Sequence, residues 1–149
     1  MHLPQYPLKT GKTRKVFEFV SQGTKGSVLK LIQFQEMDLP GFYNIAFGDR
    51  SPDGSLNDSV ITGNGDAEKV LATVVAAVYF FLELYPDAWI FATASSPART
   101  RLYQRSINKF YDEAVIDFDL MGLTPDDWEE YEKGKTYEAV AVCRKKVYL

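Results

Sequence analysis

One cysteine and one histidine in 149 residues leave little room for several kinds of chemistry. Cys143 has no partner for an internal disulfide, and with only His2 to join it no Cys/His cluster can hold zinc. A Cys143/His2 nucleophilic pair would need a terminal histidine to reach a residue of an expected strand, so Cys143 reads as a buried structural thiol. The opening "MHLPQYPLKTGKTRK" lacks the apolar run of a signal peptide. The longest apolar stretch, within Val70 to Leu82, is shorter than the roughly 20 residues that cross a bilayer. These absences predict a cytoplasmic protein without a membrane span.

Repeats, low-complexity tracts and linkers are missing too, and the length suits one core. The expected organisation is a single domain over 1–149, with residues 1–12 as a loosely structured N-terminal arm. At 46% hydrophobic, 14% aromatic and 25% charged residues, the composition is that of a globular chain.

A net charge of −3 conceals a segregation. Basic residues gather at Lys9, Lys12, Arg14 and Lys15, at Arg99, Arg101, Arg105 and Lys109, and at Arg144, Lys145 and Lys146. Acids concentrate from Asp112 to Glu132. Such blocks usually mark solvated faces; a basic one also suits a polyanion.

The element pattern is alternately β and α. "RKVFEFVS" (14–21) and "SVLKLIQF" (27–34) flank "QGTKG" and predict a hairpin. "FYNIAFGD" gives a third strand and "SVIT" (59–62) a short fourth. A helix is predicted over 67–84, with Asp66 as N-cap and Glu68 in its first turn. Its stripe of Val70, Leu71, Val74, Val78, Phe81 and Leu82 is joined by apolar residues on other faces, so burial on most sides is expected. "AWIFATA" reads as a buried strand, 97–113 as a second helix, 115–120 as a strand, 126–131 as a short acidic helix or turn, and 137–144 as a closing strand. The resulting fold class is α+β: a mostly antiparallel sheet packed on a long central helix, in the order β-β-β-(β)-α-β-α-β-(α)-β.

The segment "IFATASSPARTRLYQ" (90–104) carries the clearest candidate site. Ser96 before Pro97 is a strong helix start, and the unpaired N–H groups there favour an anion. Ser95, Ser96, Thr100 and the arginines could complete a phosphate cradle. Tyr103, Ile107, Phe110 and Ala114 recur at helical spacing and define a buried face that, extended back one turn, reaches Arg99. Arg99 then needs an internal carboxylate, for which Asp49, Asp58 and Asp66 are candidates, or an anionic ligand. Arg101 and Arg105 lie off that face as a basic ridge toward Lys109.

Other motifs carry less. "VITGNGDAEK" lacks the third glycine of a dinucleotide loop, and Asp66 would repel a phosphate there, so turn plus cap is the reading. "GKT" at 11–13 has Tyr6 where a P-loop needs its first glycine. Asp49, Asp53 and Asp58 do not match a calcium loop. No cofactor and no resident metal is expected, and no catalytic motif is complete.

The set "YNIAFGD", "GDAEKVLATV", "FATASSPARTRLYQ" and "YEAVAVCRKK" resembles a family of small single-domain bacterial proteins catalogued only as a domain of unknown function. The resemblance covers nearly the whole chain and is most specific at "SSPARTRLY". It directs attention to Asn44, Gly48, Asp49, Asn64, Asp66, Lys69, Ser96, Arg99, Thr100, Arg101 and Tyr103. The family pattern favours Gly-Ser-Thr before Pro-Ala-Arg; Ala94-Ser95-Ser96 keeps the hydroxyls and loses the glycine.

Three functions fit these observations. The first is binding of a phosphate-bearing ligand, a nucleotide or a nucleic acid, through Ser95, Ser96, Arg99, Thr100, Arg101, Tyr103 and Arg105, supported by Asn44, Asp49, Asp58, Asn64, Asp66 and Lys69. The second is an enzyme acting on phosphate esters or nucleotides. The third is a protein-interaction module such as one half of a toxin–antitoxin-like pair, with the acidic 126–132 segment offering self-association as a homo-oligomer.

Overall fold

The computed structural model describes residues 4–57, 63–93 and 97–146, with the side chains of 97–100, 102 and 103 outside that description. Nine strands are described: β1 (Lys9–Thr10), β2 (Val16–Gly23), β3 (Gly26–Glu36), β4 (Phe42–Arg50), β5 (Leu56–Asn57), β6 (Trp89–Ala92), β7 (Phe118–Leu123), β8 (Trp128–Glu130) and β9 (Ala139–Arg144). The helices are α1 (Ala67–Leu84), α2 (Pro97–Lys109) and α3 (Tyr111–Asp117). The strands hydrogen-bond in the order β1-β2-β3-β4-β6-β9-β7-β8, with β5 on β4. Pairing is antiparallel in the registered ladders except between β4 and β6, where Phe42 faces Trp89 and Asn44 faces Phe91 in parallel. The fold is mixed α+β with a mostly antiparallel sheet. No helix among the described residues is long and apolar enough to cross a membrane.

The chain gathers into two compact units, Met1–Gln35 with Ala46–Leu84, and Glu36–Ile45 with Tyr85–Leu149. In the first, strict alternation along β2 buries Phe17, Phe19 and Ser21 and leaves Val16 and Val20 exposed. Phe34 stacks on Phe81 of α1 with centroids 4.2 Å apart, and Phe19 stacks on Phe47. Burying each such ring contributes about 1.5–3 kcal/mol. The hairpin closes through Thr24 and Lys25, with Gly23 opposite Gly26. Gly26 has φ 82, a conformation that glycine adopts without strain. Gly23 is required for another reason: a Cβ there would stand 1.9 Å from the Asn64 carbonyl oxygen. The segment before β1 is anchored by Tyr6, whose ring is buried beside Phe19.

The boundaries of α1 match the expected ones, but its buried face does so only at Phe81 and Leu82. Ala72, Thr73, Ala77, Phe81 and Leu82 are buried, Val70, Leu71, Val74 and Val78 are only half-buried, and Phe80 and Leu84 are exposed. Small residues face inward because Tyr6 comes close, its backbone N–H donating to Thr73 Oγ1 at 2.8 Å. The expected central helix thus belongs to the first unit.

In the second unit β9 lies between β6 and β7, with Ile90 opposite Val142 and Leu120 also opposite Val142. Ile90, Phe118, Leu120, Val140 and Cys143 are buried there. Three expectations are corrected. The helix predicted over 97–113 breaks at Phe110, a buried residue with φ −107 and ψ 15 whose N–H bifurcates between the carbonyls of Ser106 and Ile107. Val115 to Asp117 are helical, so the strand begins at Phe118, where its ladder with β9 opens opposite Arg144. The 126–131 segment is no helix: Thr124 Oγ1 accepts from the N–H groups of Asp126 and Asp127 to make the turn, and Trp128–Glu130 pairs with β7. The short β1 and β5 carry no periodicity that would announce them, and "SVIT" lies outside the described residues.

Candidate functional site

Polar residues collect at two places, one in each unit. In the first unit, Asp66 sits just before α1, where its backbone carbonyl accepts the helical bond from Val70. Its Oδ2 accepts from Tyr6 Oη and from Ser21 Oγ, both at 2.5 Å. Burial alone would push this carboxyl up, but the hydrogen bonds from Ser21 and Tyr6, helped by the charge of Lys30, hold it below the ordinary range. Tyr6 responds in the opposite sense: burial and the neighbouring Asp66 push its phenol up.

Asn64, 2% exposed, clasps the hairpin turn. It accepts from the N–H groups of Thr24 (3.1 Å) and Lys25 (2.6 Å), and its amide donates to Ser21 Oγ (3.0 Å) and the Gly26 carbonyl (2.8 Å). Lys69 places its ammonium 4.3 Å from the centre of the Tyr6 ring. Lys30, 1% exposed, pairs with Asp49. Breaking a buried pair costs about 3–5 kcal/mol because a charge is left stranded. Asn64, Asp66 and Lys69 therefore meet, and Asp49 contacts Lys30, whose charge acts on Asp66. No buried side-chain nitrogen or oxygen among the described residues lacks a partner, so this cluster spends its hydrogen bonds on holding the hairpin, the N-terminal segment and the start of α1.

The second place is a pocket of about 460 Å³ in the second unit, lined by Arg101, Gln104, Arg105 and Asn108 of α2 and by Gly134, Lys135 and Thr136 before β9. Helical spacing puts 101, 104, 105 and 108 on one face. The turn opposite is "EKGKT", where Lys135 N–H donates to the Glu132 carbonyl and Gly134 takes φ 89, which only glycine adopts readily. Gln104, 5% exposed, ties the two sides together. Its Nε2 donates to the Lys135 carbonyl (3.0 Å), and its Oε1 accepts from Tyr137 N–H (3.2 Å).

Hydrogen bonding decides what the pocket offers. Asn108 Oδ1 accepts from Tyr131 Oη at 2.7 Å, which leaves the amide NH₂ as its outward group. Arg101 and Arg105 are exposed, and among the described residues no carboxylate stands within ion-pair distance of either. Lys135 pairs with Glu129 at 2.7 Å, and Tyr137 Oη donates to the same Glu129 oxygen at 2.9 Å. Those two bonds hold Glu129 below the usual carboxylate range, and Glu129 in turn raises the Lys135 ammonium. The lining residues are thus rich in donors and hold no carboxylate: two arginines, a lysine, a glutamine, an asparagine and a threonine.

Of the residues singled out in the sequence, Arg101 and Arg105 meet here. Ser95, Ser96 and Asp58 lie outside the described residues, and Arg99, Thr100 and Tyr103 belong to α2 by their backbone alone. Asn44 stands apart on β4, accepting from Thr93 Oγ1 at 2.8 Å. The buried face expected for α2 is corrected: Ile107 and Ala114 are half-buried, whereas the polar Gln104 is buried with Phe110. Lys135, Thr136, Gln104 and Asn108 escaped the sequence reading. "KGKT" at 133–136 held the only signal for the turn, a glycine between lysines, and nothing local pairs it with α2.

The family model described as "Family of unknown function (DUF6934)" matches residues 2–145, nearly the whole chain. The protein belongs to that family. No curated protein matches it, and no solved structure does.

Proposed function

We propose that the protein binds a phosphate-bearing ligand in the pocket between α2 and the 134–136 turn. The observation that carries this reading is the convergence of Arg101, Arg105 and Lys135 on one concavity in which Asn108 is oriented as a donor. A ligand that answers donors on several sides is rich in acceptors and negatively charged, and arginine forks match phosphoryl oxygens in pairs. The volume lies within the range of small-molecule sites, about 300–1,000 Å³. Arg101 and Arg105 are the ligand groups from α2, and Lys135 joins them from across the pocket. A small phosphate compound suits the concavity better than a nucleic-acid strand, because its cations cluster rather than extend.

Calorimetric titration with inorganic phosphate and a nucleoside monophosphate tests it. Wild type is expected to bind, and Arg101→Ala and Arg105→Ala to lose about tenfold or more in affinity each, in line with the 1.5–3 kcal/mol of a charge-assisted hydrogen bond. Absence of binding by wild type overturns the proposal. Binding of oligonucleotides alone, falling log-linearly with salt, would replace it with a nucleic-acid interface.

A further inference from the structure

Resting on that reading, we propose that Glu129 sets the charge of the ligand, fitting the pocket to one phosphoryl dianion and disfavouring longer polyphosphates. Three of the residues lining the pocket, Arg101, Arg105 and Lys135, are cationic, and Glu129, which is outside the lining but paired with Lys135 at 2.7 Å, offsets one of these charges. The balance is +2. A phosphate monoester carries about −1.5 to −2 at pH 7, so it neutralises this rim. A pyrophosphate or triphosphate exceeds it.

Glu129 is held more firmly than a surface pair normally would be. Exposed ion pairs contribute little and exchange easily. Here the carboxylate oxygen also accepts from Tyr137 Oη, and Tyr137 is 3% exposed. Its ring lies over Gly122, where a Cβ would come within 2.4 Å of ring carbon Cδ1. Its hydroxyl oxygen is fixed a second time by the Glu132 N–H at 2.9 Å. The buried phenol therefore anchors Glu129 beside Lys135, and an incoming anion meets an ammonium already shared with an internal carboxylate. In effect Glu129 occupies one of the anion positions that the three cations would otherwise offer.

The test is calorimetric titration of the full chain with inorganic phosphate and with pyrophosphate at one fixed ionic strength, because screening alters both affinities. Wild type is expected to prefer phosphate. Glu129→Gln keeps the side-chain shape and removes the charge, and should raise pyrophosphate affinity about tenfold while changing phosphate affinity much less. In the Lys135→Ala background the same replacement should have a clearly smaller effect, since the cation that Glu129 neutralises is gone. Tyr137→Phe, which leaves Glu129 charged but without its anchor, should shift the preference in the same direction by a smaller factor. Wild type that binds phosphate with no change of preference in Glu129→Gln overturns the role of Glu129 alone. Wild type that binds neither anion overturns the pocket reading and this inference with it.

Discussion

The side-chain amide of Gln104 and the backbone carbonyl of Lys135 are joined by a hydrogen bond of 3.0 Å inside the second unit, although 31 residues separate them in sequence. Tyr137 N–H completes the clamp on the other end of the same amide. Through it a buried polar residue of α2 determines where the lysine of the opposite turn stands.

Replacing Gln104 by Met, similar in size but without the amide, strands the Tyr137 N–H in a buried position and the Lys135 carbonyl in a partly buried one. The expected cost is about 1–3 kcal/mol for the buried N–H, and less for the carbonyl, which water can reach. Urea unfolding would measure that loss. Phosphate titration of the folded variant should show weakened binding, since Lys135 loses its fixed place. An unchanged unfolding midpoint would contradict the clamp.

Asp66 should govern part of the acid limb of stability. Its folded-state carboxyl is held below the unfolded value, so the folded protein releases that proton more readily than the unfolded chain does. The resulting stabilisation is complete above the unfolded aspartate value of about 3.9 and is lost as pH falls through the lower folded value. Wild type should therefore exceed Asp66→Asn in stability at pH 7, and the gap should close as the pH falls below about 4. Tyr6→Phe removes the phenol that donates to Asp66, and combined with Asp66→Asn it should cost less than the sum of the two single changes. Urea unfolding of all four proteins between pH 7 and pH 3 checks both statements.

Cys143 should be inert in the folded protein. It is 8% exposed on β9, opposite both Trp89 and Asp119, and burial followed by the Asp119 charge pushes its thiol up. Thiolate is the reactive form, so both access and ionisation are reduced. A thiol-specific chromogenic reagent at pH 8 is expected to react slowly with native protein and rapidly once denaturant unfolds it. Rapid labelling of the native state would show that β9 opens.

Local rules account for much of what is seen. The hairpin of β2 and β3 follows from alternation around a glycine-flanked turn, α1 begins just after Asp66 and ends before Pro86, and the closing strand is legible in "AVAVCR". Errors cluster where a local pattern competes with packing. Val115 to Asp117 have strand-like composition but complete a helix, and the acidic 126–130 stretch is drawn into a ladder with β7. Of the seven residues lining the pocket, Arg101 and Arg105 fall on one helical face by spacing alone, whereas Gln104 is a polar residue in a buried position that apolar periodicity does not mark.

By itself the sequence determined the kind of chain this is: one whose single cysteine can form no internal disulfide, with a mixed α+β pattern, a helix from 67 to 84 and arginines set four apart on a second helix. Those properties depend on composition and on periodicities of two and 3.6 residues, which neighbours in sequence express directly. Only the tertiary structure decided that Tyr6 meets Asp66 and that the "KGKT" turn meets α2. Contacts between residues tens of positions apart arise from strand order and from the pairing of buried polar groups, and no local periodicity records either one.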